Sequence, residues 1–174
     1  MNRNDARPTF AEEFSEVYGL RVRRLAALSR VGRDFKPSRP PRENREWGPA
    51  FDRLFNLSLQ PGTVPLIGPA GSGKSAMVAS LVMTRIGSLA VASVVTGVEL
   101  VQMVADAKRR DVHARRWLRR LGWANLLVID DADRIQPADW HRYRIGELLE
   151  VRWAAEVTTV LVGRTLTPDM WAAI

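Results

Sequence analysis

Eight consecutive residues, Gly68-Pro69-Ala70-Gly71-Ser72-Gly73-Lys74-Ser75, constrain the fold of this chain more than any other stretch. They fit the pattern G-x-x-x-x-G-K-[ST], with a short apolar run at 64–67 before them and a helical pattern at 74–84 after them. The glycines let the chain turn tightly, so that successive backbone amides converge on one anion, and the following helix adds its positive end. Lys74 is then expected to bridge the β- and γ-phosphates as a point charge, and Ser75 to place its hydroxyl on Mg²⁺. A glycine-rich turn that binds nothing is the bland alternative. The strand before it and the helix after it argue against that reading.

The rest of the pattern agrees with a strand-loop-helix unit repeated along the chain. Apolar runs at 64–67, 89–95, 126–129 and 157–162 are expected strands, separated by expected helices at 74–84, 98–109, 111–121 and 139–154. Strands that are apolar throughout and alternate with helices indicate a parallel sheet covered on both faces, an α/β fold of the P-loop type. Upstream, Thr9 and Glu12 form a capping box before Phe10, Phe14, Val17 and Tyr18, which recur at helical spacing. A segment rich in Arg and Pro at 36–46 ends any helix and reads as a linker. Trp47, Phe51, Leu54 and Phe55 suit a short amphipathic helix that leads into the core. The expected organisation is a basic helical arm and linker at 1–46, then an ATPase core at 47–174.

The second half of a nucleotide site is expected at Leu126-Leu127-Val128-Ile129-Asp130-Asp131. A buried strand that ends in carboxylates delivers them to the carboxyl edge of a parallel sheet, beside the phosphate loop. Asp130 is expected to hold Mg²⁺ through its water shell. Asp131 is expected to orient or deprotonate the attacking water, with Lys74 as the other catalytic group. Asp131 is one methylene shorter than the glutamate usual in this role, which favours slow hydrolysis. ATP with Mg²⁺ is the expected cofactor, cradled by Gly68, Pro69, Ala70, Gly71, Ser72, Gly73, Lys74, Ser75 and Ala76. Zero cysteines exclude disulfides, thiolate zinc sites and thiol catalysis. Two isolated histidines, His113 and His141, make a poor ligand set for a transition metal.

With these residues in view, the chain resembles the DnaC/IstB-like AAA+ ATPases, the helicase loaders and insertion-sequence transposition helpers of bacteria. The likeness runs from Phe51 onward. It rests on LIGPAGSGKS, VTGVELVQMVADAKR, LLVIDDAD and LLEVRWAAEVTTVLVGRTLTPDMW, which closes on Asp169-Met170-Trp171. Target-selection ATPases of transposons are a second resemblance, on Leu161-Val162-Gly163 and Ala132-Asp133-Arg134. The resemblance implies an AAA+ core, and a polar sensor of the γ-phosphate after the fourth strand. This chain has Val162-Gly163-Arg164-Thr165 there, so Arg164 or Thr165 is the candidate sensor. It also implies that relatives continue into an arginine finger, a fifth strand and a helical lid. A chain that stops before these leaves the strand feeding the phosphate loop at an exposed edge.

Charge narrows the partners. The net charge of +7 is concentrated in two zones, +7 over residues 20–45 and +6 over 108–120, which leaves the remainder mildly acidic. Arg115, Arg116, Arg119 and Arg120 form like-charge pairs at i,i+4, unfavourable in an isolated helix and relieved by anions. They are candidate contacts to a DNA backbone; a solvated face paired with neighbouring acids is the equal alternative. The tryptophans at 117, 123, 140, 153 and 171 are expected to pack between helices rather than form a binding box. No run approaches the length of a membrane span and no secretory signal opens the chain, so a cytoplasmic protein without membrane contact is expected. The expected function is a Mg²⁺-dependent ATPase switch in DNA replication or transposition. Its partners are DNA, bound without sequence preference, a replicative helicase or transposase, and further copies of itself. A non-hydrolysing adaptor that binds DNA or a helicase is the first alternative, and a small-molecule kinase the minor one.

Overall fold

The computed structural model describes residues 48–135 and 139–165; the expected arm, Trp47 and the closing Asp169-Met170-Trp171 lie outside them. The elements in chain order are α1 (Gly48–Leu57), β1 (Gly62–Ile67), α2 (Lys74–Gly87), β2 (Ala92–Thr96), α3 (Gly97–Lys108), α4 (Val112–Trp123), β3 (Leu126–Asp130), a 3₁₀ turn (Ala132–Arg134), α5 (Asp139–Ala154) and β4 (Thr158–Gly163). Among the described residues the four strands form one parallel sheet in the order β1-β4-β3-β2. Parallel neighbours need crossovers, and the helices supply them.

Alternation along each strand sorts side chains onto two faces. Val64, Ala92, Leu126, Val128, Val160 and Val162 pack with Phe51 and Leu54 of α1 and with Met77, Val78, Leu81, Val82 and Ile86 of α2. Val95, Leu127, Ile129 and Leu161 point the other way, onto Leu100 and Val104 of α3, Leu121 of α4 and Ile145 of α5. A ten-residue helix such as α1 is not stable alone. Burying Phe51 and Leu54, each worth about 1.5–3 kcal/mol, holds it in place.

Among the described residues, strand β1 is covered on one face only. Val64 is buried, whereas Thr63, Pro65 and Ile67 on the opposite face are exposed. The Gly62 and Gly68 amides donate to Val157 and Gly163 carbonyls on the β4 side, so the alternate residues 63, 65 and 67 present their backbone outward. Pro65, which has no amide hydrogen, therefore costs no ladder bond.

Helix α2 runs three residues past its expected end, α3 stops one residue short of it and α5 ends at Ala154 as expected, and all three close in the same way. α2, α3 and α5 each close with a residue in the left-handed region: Leu89 (φ 59°), Arg110 (φ 67°) and Glu156 (φ 53°). In each, the next amide reaches back five residues, from Ala90 to Arg85, Asp111 to Asp106 and Val157 to Arg152. That is the Schellman closure, made here without glycine. The expected strand from 89 begins instead at Ala92, because Leu89 and Ala90 belong to the cap of α2.

The buried guanidinium of Arg152 locks the far end of the sheet. It donates to the Leu121 carbonyl (2.5 Å), the Ala124 carbonyl (2.9 Å), Thr159 Oγ1 (2.7 Å) and the Thr158 carbonyl. One side chain of α5 thus ties the end of α4 to the start of β4. Desolvation pulls its pKa down to about 10.

Candidate functional site

The carboxyl ends of β1, β4, β3 and β2 lie along one edge of the sheet, the edge at which open parallel sheets bind ligands. Residues 68–73 leave β1 there as a compact loop. Gly71 (φ 77°) and Gly73 (φ 84°) hold conformations that other residues rarely adopt. Gly73 caps α2 without a side-chain bond, which leaves the first amides of a 14-residue helix directed at the loop. A Cβ on Gly68 would stand 3.0 Å from Ser72 Oγ, so the turn closes tightly at its base. Lys74 folds back over the turn, its ammonium donating to the carbonyls of Gly68 and Pro69 at 2.7 Å each and to Ser72 Oγ at 3.4 Å.

Strand β3 brings Asp130 to this loop. Burial raises the pKa of its carboxyl above the ordinary aspartate value, and the neighbouring Asp131 charge adds to the rise. The Asp131 amide, the Lys74 ammonium and a hydrogen bond from Ser75 act in the opposite direction. Asp130 therefore faces both Lys74 and Ser75. A hydroxyl and a single carboxylate beside a phosphate loop suit Mg²⁺, which keeps most of its waters and takes one or two protein ligands. The described residues contain no cluster of three or more His, Cys, Asp or Glu side chains for a cage of the other kind.

After Asp130 the chain turns sharply. Asp131 sits in the left-handed region (φ 49°, ψ 42°), its amide donating to Asp130 Oδ1 at 2.9 Å and its carbonyl accepting from the Arg134 amide at 2.9 Å. Arg134 Nη1 stands 3.4 Å from Asp131 Oδ2 in an exposed pair. Asp133 Oδ2 accepts the Arg164 amide at 3.1 Å, which fixes the chain as it leaves β4. Asp131, Asp133, Arg134 and Arg164 together line a recess of about 200 Å³. Thr165 follows, exposed.

Gly97 is the positioning residue that the sequence reading missed. A Cβ there would lie 2.6 Å from Ile135 Cγ1 and 2.8 Å from the Asp131 carbonyl, so only glycine lets the Asp131 turn pack on the start of α3. The local sequence marks the start of α3 there, though not the need for glycine. Thr96-Gly97-Val98-Glu99 is a complete capping box, in which Thr96 Oγ1 accepts the Glu99 amide and Glu99 accepts the Thr96 amide.

The four arginines of α4 are divided. Arg115, Arg116 and Arg119 are exposed, with Arg115 Nε donating to the Ala107 carbonyl at 3.2 Å, whereas Arg120 lies over the Trp117 ring at 5.0 Å. Two tryptophans depart from the expected packing role. Trp123 is 69% exposed and Trp153 is 70% exposed, each near a helix end that turns its ring outward.

No protein-family model matches the chain, and no curated protein does. Solved structures do. A DNA replication initiation factor superposes with a TM-score of 0.61 at 9% identity, over 80% of this chain and 45% of its own. The replication initiator DnaA bound to AMPPCP and single-stranded DNA gives 0.60 at 10%, over 70% of this chain and 38% of its own. The fold is that of the AAA+ P-loop proteins. A structure of the DnaC helicase loader shares this AAA+ fold, with a TM-score of 0.58 at 12% identity over 81% of this chain and 84% of its own. The chain spans less than half the length of the first two. Among its described residues, no helix is long and apolar enough to cross a membrane.

Proposed function

We propose that this chain binds MgATP at residues 68–76 and uses it as a switch in DNA replication or transposition, helping to load or position another protein on DNA. The observation that carries the reading is the compact loop at 68–73, with Gly71 and Gly73 at positive φ, the first amides of α2 directed at it and Lys74 folded over it. The loop amides and the α2 N-terminus cradle the phosphates. Lys74 exchanges its two carbonyl acceptors for phosphate oxygens, and Ser75 with Asp130 holds the metal. Bound MgATP supplies a phosphoryl group that water can take. Asp131 orients or deprotonates that water, and Arg164, which shares its recess, senses the terminal phosphate with Thr165. A second copy supplying an arginine raises turnover by about 10³–10⁵. Solved structures of the same fold are described as bound to AMPPCP and single-stranded DNA, and as a helicase loader, which supports DNA and a helicase as partners here.

One observation favours the adaptor reading, in which nucleotide is bound and not turned over: the exposed Arg134 guanidinium, 3.4 Å from Asp131 Oδ2, would compete with a water for that oxygen. Calorimetric titration of the full chain with MgATP, followed by phosphate release with and without DNA, decides between them. Binding is expected in the native chain and in Asp131→Asn, and lost in Lys74→Ala with an unchanged circular dichroism spectrum. Turnover is expected only in the native chain. No heat with the native chain would overturn the proposal, whereas binding without turnover under either condition selects the adaptor.

A further inference from the structure

A concavity of the described residues lies away from the nucleotide site. It is a groove of about 660 Å³ between α3, α4 and α5, lined by none of residues 68–76, Asp130 or Asp131. Its floor is apolar, built on Val104, Leu118 and Leu148, and α4 approaches α5 closely at Gly122, where a Cβ would lie 3.7 Å from Val151 Cγ1. The exposed ring of Trp123 stands in its lining. Its charged lining is Lys108, Arg115, Arg119 and Arg144 against one acid, Glu147, already bonded to Arg144 at 2.6 Å. An apolar floor of this volume under a net charge of +3 suits an amphipathic segment with aromatic anchors and carboxylates on its flanks.

We propose that residues 9–18 of this chain occupy that groove. The segment Thr9-Phe10-Ala11-Glu12-Glu13-Phe14-Ser15-Glu16-Val17-Tyr18 has Phe10, Phe14 and Val17 at the spacing of one helical stripe in its sequence and a net charge of −3 from Glu12, Glu13 and Glu16, the complement of the groove. Residues 20–45, at +7, carry the same sign of charge as the rim and do not complement it. Reach is not limiting, because the 29 residues from 19 to 47 span up to about 95 Å when extended, against a folded core about 35 Å across. Docking within one chain gains from the high effective concentration of a tethered segment. The arm then competes with any partner that would take either surface.

The absence of cysteine makes the test direct, since two introduced thiols are the only ones in the molecule. Phe14→Cys is combined with Trp123→Cys in the groove, and in a second protein with Thr84→Cys on the opposite face of the sheet; both are oxidised in a glutathione buffer at low concentration. The groove pair is expected to close within one chain about tenfold faster than the control pair. Arg115→Glu with Arg119→Glu is expected to remove that advantage, and adding Glu12→Lys with Glu16→Lys to restore it, because a few exposed ion pairs amount to about tenfold in an equilibrium. Circular dichroism of each variant shows whether the fold is kept. Equal rates for the two pairs, disulfides formed only between chains, or an advantage indifferent to the charge reversal would overturn the proposal.

Discussion

Asp130 carries a cost that its ligand removes. Its carboxyl is half-buried and titrates above an unfolded aspartate, so between those two values the folded chain holds a proton that the unfolded chain has released. Stability therefore falls as pH rises through that interval, and above it Asp130 remains a burden. Asp130→Asn is expected to melt at a higher temperature than the native chain at pH 7 without ligand. The gap should narrow on acidification toward pH 4, and MgATP should raise the melting temperature of the native chain more than that of the variant. Differential scanning calorimetry at two pH values, with and without MgATP, reads all three. Arg152 is the opposite case, a buried charge without which four acceptors lose their donor. Arg152→Ala is expected to cost about 3–5 kcal/mol, lowering the melting temperature by about 10 °C or more. Arg152→Lys should fall between, since an ammonium cannot reproduce the planar fork. Nothing in the sequence separates Arg152 from the exposed arginines nearby; its burial depends on which carbonyls the fold gathers at the end of α4.

At the scale of elements, the strands and the helices between them were legible because apolar runs and helical spacing are local. The bounds of α5 were legible too, whereas the join of α2 to β2 was not. Glycine at the position after a helix is the usual stop signal, and α2, α3 and α5 instead place Leu89, Arg110 and Glu156 there. The apolar run through Leu89 therefore read as strand, although its hydrogen bonds close a helix. Arg110 and Glu156 are both exposed, so little packing opposes their replacement. Arg110→Gly and Glu156→Gly are each expected to raise stability by about 1 kcal/mol, and by about twice that together if the sites are independent, as urea unfolding will show. The phosphate loop and the strand ending in Asp130 were legible for the reason the termini were not, since their residue types have few other uses. Gly97 escaped notice because its need arises from the Asp131 turn, more than thirty positions later.

For the whole molecule, charge placement is the quantity to test. If the exposed Arg115, Arg116 and Arg119 meet a nucleic-acid backbone, affinity for DNA should fall linearly in logarithmic coordinates as salt rises. The slope should shrink by roughly one for each arginine replaced that had met a phosphate. Fluorescence anisotropy with a labelled oligonucleotide at several salt concentrations measures it, and an affinity indifferent to salt counts against these contacts. The same arginines line the groove in part, so residues 9–18 and DNA would compete for them. The outward placement of Trp123 was not legible, because helical periodicity identifies an apolar residue without saying whether a neighbouring helix covers it.

Among the described residues β1 borders the sheet, and its outward backbone has a consequence of its own. A newcomer lying alongside β1 would find carbonyls at Thr63, Pro65 and Ile67 but amide hydrogens only at the first and last of them. The gap falls in the middle, where a stranger's zipper would otherwise start to close. Pro65 thus selects what can lie beside β1, since only a segment, of this chain or of another, shaped to tolerate that missing rung can extend the sheet.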